Sequence, residues 1–139
     1  MHPLRVRADG GPEIGSIIKI YSFAGKYAGA RRVGYASSKS ALVGLTRGLE
    51  LELGAYGIRI NTITPGPVEG ERVDEVIERM SKAFDKSKDE IRIQILDMSP
   101  LHAMATADDI SGMTLMLASD DGPSMTGQDI NITAGIIKY

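Results

Sequence analysis

Three short runs of β-branched and aliphatic residues alternate along the chain with four longer segments in which apolar side chains recur every three or four positions. Ser16-Ile-Ile-Lys-Ile-Tyr21, between Gly15 and Gly25, reads as a strand whose near-continuous apolar character fits a parallel sheet covered on both faces. From Gly34 to about Tyr56 the spacing predicts a helix. Ala41, Leu42, Leu45, Leu49 and Leu53 make its apolar stripe, Arg47, Glu50 and Glu52 face elsewhere, and Gly54 and Gly57 mark its end. Gly57-Ile-Arg-Ile-Asn-Thr-Ile-Thr64 is a second buried strand, ended by Pro65-Gly66-Pro67. A helix between two strands of one sheet is a βαβ unit, whose crossover is almost always right-handed.

The stretch from Glu69 to Lys88 is dense in charge, yet Val73, Val76, Ile77, Met80 and Phe84 form an apolar stripe, so it reads as an amphipathic surface helix. Ser87-Lys-Asp-Glu90 has the capping-box pattern and restarts a helix running to about Met98. Beyond Pro100, Thr106-Ala-Asp-Asp109 is a second such start with Asp in place of Glu. Ile110, Met113, Leu115, Met116 and Leu117 make the last helix apolar on more than one side, which predicts packing between the sheet and a further layer; the methionines are read as core. Gly127-Gln-Asp-Ile-Asn-Ile-Thr133 closes the pattern as a strand. Pro3, Gly10, Gly11 and Pro12 break any period over residues 1–14, which read as a leader or linker, and residues 15–139 read as one domain.

Composition narrows the function classes. With 139 residues, 42% hydrophobic and 24% charged, the chain suits one soluble globular domain. A net charge of -2 with interspersed signs offers no basic surface for nucleic acid. The absence of cysteine excludes disulfides and thiolate metal sites, and His2 and His102 do not suggest zinc. No secretory signal and no run near the roughly 18 apolar residues of a membrane span is visible, so a cytoplasmic location without membrane partners is expected.

Chemistry concentrates at Tyr35-Ala-Ser-Ser-Lys39. Four residues apart at the start of a helix, phenol and ammonium project from one face. A nearby cation favours the phenolate, which suits Tyr35 to general acid/base work. Ser22 falls just past the carboxyl end of the first strand, where open α/β sheets bind ligands, and its hydroxyl can donate to or accept from a substrate oxygen. Arg31 and Arg32, in the intervening loop, read as solvated charges.

Gly15-Ser-Ile-Ile-Lys-Ile-Tyr-Ser-Phe-Ala-Gly25, Gly34-Tyr-Ala-Ser-Ser-Lys-Ser-Ala-Leu42, Ile58-Arg-Ile-Asn-Thr-Ile-Thr-Pro-Gly-Pro-Val68 and Thr126-Gly-Gln128, in this order, resemble the second half of a short-chain dehydrogenase/reductase. The resemblance runs from about Gly15 to Ile132 and implies an α/β fold, part of a Rossmann-type doubly wound parallel sheet. It implies Tyr35 as catalytic acid/base, Ser22 as the group orienting the substrate oxygen, and Lys39 as the residue that lowers the Tyr35 pKa and binds the nicotinamide ribose. Pro65, Gly66 and Val68 would lie against the nicotinamide of NAD or NADP. Hydride transfer to or from a small carbonyl/alcohol substrate follows from the same resemblance, and the region after the second strand is where relatives carry a lid over substrate.

Three departures accompany it. No glycine-rich strand-to-helix turn for the pyrophosphate occurs in the sequence, and with it the residues that select NAD or NADP are missing. The active-site asparagine of the preceding helix has no counterpart, since Asn61 belongs to a different motif. Gly70 stands where relatives often have a pyrophosphate-contacting threonine. The catalytic half without its cofactor anchor leaves the edge of the first strand open and apolar. A homo-oligomer, or association with a complementary or full-length chain, is therefore expected. The second reading is a non-catalytic remnant acting through association. The Thr-Pro-Gly-Pro-Val loop and terminal Thr-Gly-Gln strand argue against a third, the extended epimerases and dehydratases.

Overall fold

The computed structural model describes residues 15–27, 29 and 32–139, so the leader or linker read over residues 1–14, and Arg31, lie outside the described residues. Strand β1 (Gly15–Ile20) leads through a 3-10 turn (Phe23–Gly25) to helix α1 (Val33–Leu53). A second 3-10 turn (Gly54–Tyr56) and the left-handed Gly57 then turn the chain into strand β2 (Ile58–Pro65). Helices α2 (Glu71–Phe84), α3 (Lys88–Asp97) and α4 (Ala107–Ala118) precede strand β3 (Asp129–Ile132). The predicted order of elements is the observed one.

The three strands pair in parallel in the order β1-β2-β3, with Gly15 opposite Ile58 through Ile20 opposite Ile63, and Thr62 opposite Asp129 through Pro65 opposite Ile132. Side chains alternate between faces along each strand. Thr46 of α1 shares a 2.8 Å hydrogen bond with Thr62, which puts α1 on that face, and Ser16 donates to the Leu117 carbonyl at 2.7 Å, which puts α4 on the other. The sheet is thus wound on both sides, with Ile60 and Ile63 of β2 fully buried between the layers.

The buried face of α1 differs from the predicted stripe. Ala36, Thr46 and Leu53 are buried, whereas Leu45 is 48% exposed. The reason is polar: the Thr46 hydroxyl donates to the Leu42 carbonyl within its own helix and pairs with Thr62, so a threonine occupies the layer where hydropathy would place a leucine. At the sheet edge Ile17 and Ile20 are 39% and 47% exposed, and among the described residues β1 pairs only with β2. Leu115 of α4 is likewise open to solvent; the further layer expected over that helix is not among the described residues.

The Thr126-Gly-Gln motif has a structural account. Thr126 accepts from the Ile60 N–H at 3.1 Å and Gly127 donates to the Ile60 carbonyl at 2.7 Å, extending the sheet before β3 begins. Gly127 sits at φ 67, and the Glu50 carboxylate packs where a side chain would project. Fully buried Asn61 donates to the Met125 carbonyl at 2.7 Å and accepts from the Gln128 N–H at 3.0 Å, so it staples β2 to this turn.

Helices α2 and α3 build a second core of Val73, Ile77, Ile91, Ile95 and Met104, with Met80 and Leu96 packed against it. Phe84, which the stripe included, is 62% exposed beyond its edge. Both predicted capping boxes form: Ser87 with Glu90 at α3 and Thr106 with Asp109 at α4. The bonds from the Ser87 and Thr106 backbone N–H groups, then from their hydroxyls, hold the Glu90 and Asp109 carboxyls below their ordinary values of 4.5 and 3.8. A depressed carboxyl stabilises the fold fully above its unfolded pKa and loses that contribution as pH falls through the folded one. The melting temperature is therefore expected to fall on acidification below pH 4.5, and Glu90→Gln with Asp109→Asn should flatten that limb. Melting curves of both proteins against pH test it; parallel limbs would refute the assignment.

Candidate active site

Ser22 follows β1 by two residues. Tyr21 still donates to the Ile63 carbonyl at 2.8 Å, so the ladder runs one step past the strand before the chain turns. Ser22 is extended (φ -163, ψ 140) and caps the 3-10 turn, accepting from the Ala24 N–H at 3.3 Å. The turn is fixed from below. Tyr21 is 4% exposed with its phenol beneath Gly25, and a Cβ at Gly25 would overlap that phenol. Ser40 of α1 donates to the Gly25 carbonyl at 2.8 Å. Burial raises the Tyr21 pKa, with the Ser40 hydrogen bond opposing and the Asp129 charge adding to the rise, so Tyr21 is a protonated packing residue.

Lys26 closes the other end of the turn. Its ammonium lies 2.9 Å from the Asp129 carboxylate and donates to Asn131 Oδ1 at 2.8 Å and to the Tyr139 carbonyl at 2.9 Å; both ionic side chains are largely buried. Thr64 donates to the other Asp129 oxygen. The loop carrying Ser22 is thereby tied to β2, to β3 and to the segment after it.

Tyr35 lies in the first turn of α1, 41% exposed, and Lys39 half-buried one turn on with its ammonium 5.8 Å from the Tyr35 ring centroid. The Ser40 to Gly25 bond joins α1, one residue past Lys39, to the 3-10 turn that Ser22 caps.

Pro65 ends β2, and Gly66 donates to the Ile132 carbonyl at 2.8 Å. A Cβ on Gly66 would stand 2.9 Å from the Thr133 Cα, so the close approach to the end of β3 requires glycine. Val68 forms a bridge with Ala105, framed by bonds from Ala105 N–H to the Pro67 carbonyl (3.0 Å) and from Glu69 N–H to the Ala105 carbonyl (2.9 Å). An open apolar groove of about 670 Å3 runs from this loop along α4, lined among others by Ile20, Pro65, Val68, Ile110, Thr114 and Leu115. Of the sequence-predicted residues, Pro65 and Val68 line the groove, while Ser22, Tyr35, Lys39 and Gly66 do not.

Among the described residues no cluster of His, Asp or Glu could hold a metal ion, and no helix is long and apolar enough to cross a membrane. Sequence reasoning missed the Tyr21, Gly25 and Ser40 contact and the Lys26 to Asp129 pair. Gly25 carried only a boundary signal, and Lys26 lies too far along the chain from Asp129 for any local pattern to link them.

A family model described as enoyl-(acyl carrier protein) reductase matches residues 2–136. The chain is 33% identical over 122 residues to human (3R)-3-hydroxyacyl-CoA dehydrogenase, covering 88% of this chain and 42% of that protein. Among solved structures, a short chain dehydrogenase family protein from Francisella tularensis aligns with TM-score 0.81 at 31% identity, over 87% of this chain and 50% of that one. A single-site variant of actinorhodin polyketide ketoreductase with NADPH aligns at TM-score 0.84 and 29% identity, over 91% of this chain and 48% of that one. The chain spans about half the length of the relatives it matches.

Proposed function

The chain belongs to the short-chain dehydrogenase/reductase family, and from that premise we propose that it serves hydride transfer between NAD or NADP and a small carbonyl/alcohol substrate. The observation that carries the reading is the Tyr35 and Lys39 pair on one face of α1, joined through Ser40 to the turn that Ser22 caps. In the reducing direction the Tyr35 phenol donates its proton to the carbonyl oxygen as that oxygen gains charge, and Ser22 donates a second hydrogen bond to the same atom. In the oxidising direction the phenolic oxygen takes the alcohol proton. Lys39 supplies a positive charge beside the ring and a donor for the ribose hydroxyls. When bound, the nicotinamide would supply the hydride in the reducing direction and accept it in the oxidising one.

Pro65, Gly66 and Val68 suit a flat apolar ring. Two of them wall the groove at the carboxyl ends of β1 and β2, and Gly66 lets the loop close down on Thr133. The substrate belongs beside Tyr35, on the α1 side of the sheet, with α2, which borders a cavity at the start of α1, as the adjoining wall.

The second reading, association without catalysis, draws support from the exposed Ile17 and Ile20 of β1 and from Leu115. On either reading the partner that covers this edge is a second copy or a complementary or full-length relative, in the cytoplasm. Calorimetric titration with NADH and NADPH, with oligomeric state measured in the same buffer, separates the two. Saturable binding in the micromolar range is expected of the oxidoreductase. Self-association with no cofactor binding at millimolar concentration would favour the second.

A further inference from the structure

A smaller cavity, of about 230 Å3, opens between the start of α1 and helix α2, lined by Arg32, Val76, Arg79, Met80 and Ala83. The four α2 residues share one helical face, and Arg32 precedes Tyr35 by one turn, which spaces neighbouring Cβ atoms about 5–6 Å apart. Two arginines, Arg32 and Arg79, border one small space whose other lining residues, Val76, Met80 and Ala83, are apolar.

Two of the four acids of α2 are engaged elsewhere, and the other two, Glu71 and Glu75, form no ion pair with either arginine among the described residues. Asp74 pairs with Arg92 at 2.5 Å, and Glu78 with Lys82 at 2.9 Å and Lys88 at 3.4 Å. Among the described residues no carboxylate pairs with Arg32 or Arg79. Like charges held together raise the local potential, and an anion between them relieves it. The planar fork of each guanidinium matches the two oxygens of a carboxylate or phosphate.

We propose that this cavity holds an oxyanion, a carboxylate or phosphate carried by the substrate, and so restricts the reaction to small anionic hydroxy or oxo compounds. The volume is below the roughly 300–1,000 Å3 of whole-ligand pockets and suits a terminal group with a short carbon stem. Calling the anion part of the substrate rests on the oxidoreductase reading; its binding does not.

The test is a 15N NMR titration of the full chain, without cofactor, using inorganic phosphate and, separately, succinate. Arg32→Gln, Arg79→Gln and the control Lys88→Gln are measured beside the parent protein, with melting curves of each. Because both arginines are exposed, the variants should fold as the parent does. Saturable shifts confined to residues 32–36 and 76–83 are expected, with binding about tenfold weaker in either arginine variant and unchanged in the control. The tighter of the two probes identifies the source of the oxyanion. Unsaturable shifts spread over surface lysines, or equal affinity in the arginine variants, would overturn the proposal. If the anion binds as expected while neither nicotinamide cofactor does, the oxidoreductase reading fails and the anion site stands.

Discussion

Tyr35→Phe is expected to lower turnover by about 10²–10⁴-fold, the range associated with loss of a positioned acid/base. The substitution removes one oxygen and keeps the ring. That ring is 41% exposed, and the phenolic oxygen makes no hydrogen bond among the described residues, so stability should change by no more than about 0.5 kcal/mol. The Lys39 ammonium keeps a ring beneath it in the variant. Single-turnover oxidation of the reduced nicotinamide by a carbonyl substrate, with parallel melting curves, isolates the proton-transfer role. Near-parental turnover in a folded variant would remove Tyr35 from the chemistry.

The second large effect comes from a residue with no chemistry of its own. In Gly25→Ala the new methyl group meets the phenol of Tyr21, a ring that is 4% exposed and cannot step aside into solvent. Either Tyr21 leaves its site or the turn lifts. Overpacking of this kind costs about 1–3 kcal/mol. A lifted turn also carries Ser22 away from Tyr35, and misplacement by about 1 Å can cost on the order of 10²-fold in rate. Tyr21→Leu should restore much of the stability by vacating the space under residue 25. Thermal melts of the single and double variants, with turnover, check both halves; a Gly25→Ala protein as stable and active as the parent would show that the contact is not limiting.

The order and type of the elements were legible because each had its own period and its own stop. The alternation of Ile and Thr in β2 ended at Pro65, and the two capping boxes placed the starts of α3 and α4 to the residue. Ser22, Tyr35 and Lys39 could be singled out because helix pitch and the end of a strand are local properties. What hydropathy could not give was the rotation of α1. Thr46 is buried because Thr62 lies opposite it, and that partner belongs to another element. The Lys26 and Asp129 pair was invisible for the same reason, and Arg32 read as a solvated loop charge because its cavity neighbours are on α2. Long-range polar pairing and shared cavities are set by topology, and a single sequence carries no local signal of them.

The separate core of α2 and α3 has a further bearing. Val73, Ile77, Ile91 and Ile95 satisfy one another and Met104, and these two helices pack against each other more than against the sheet. Native-state hydrogen exchange should accordingly resolve two cooperative units, with α2 and α3 opening at a lower free energy than β2. On the oxidoreductase reading, such a module can exchange its side chains, and with them the compounds it admits, while helix α1 and the turn after β1, which carry Tyr35, Lys39 and Ser22, keep their packing.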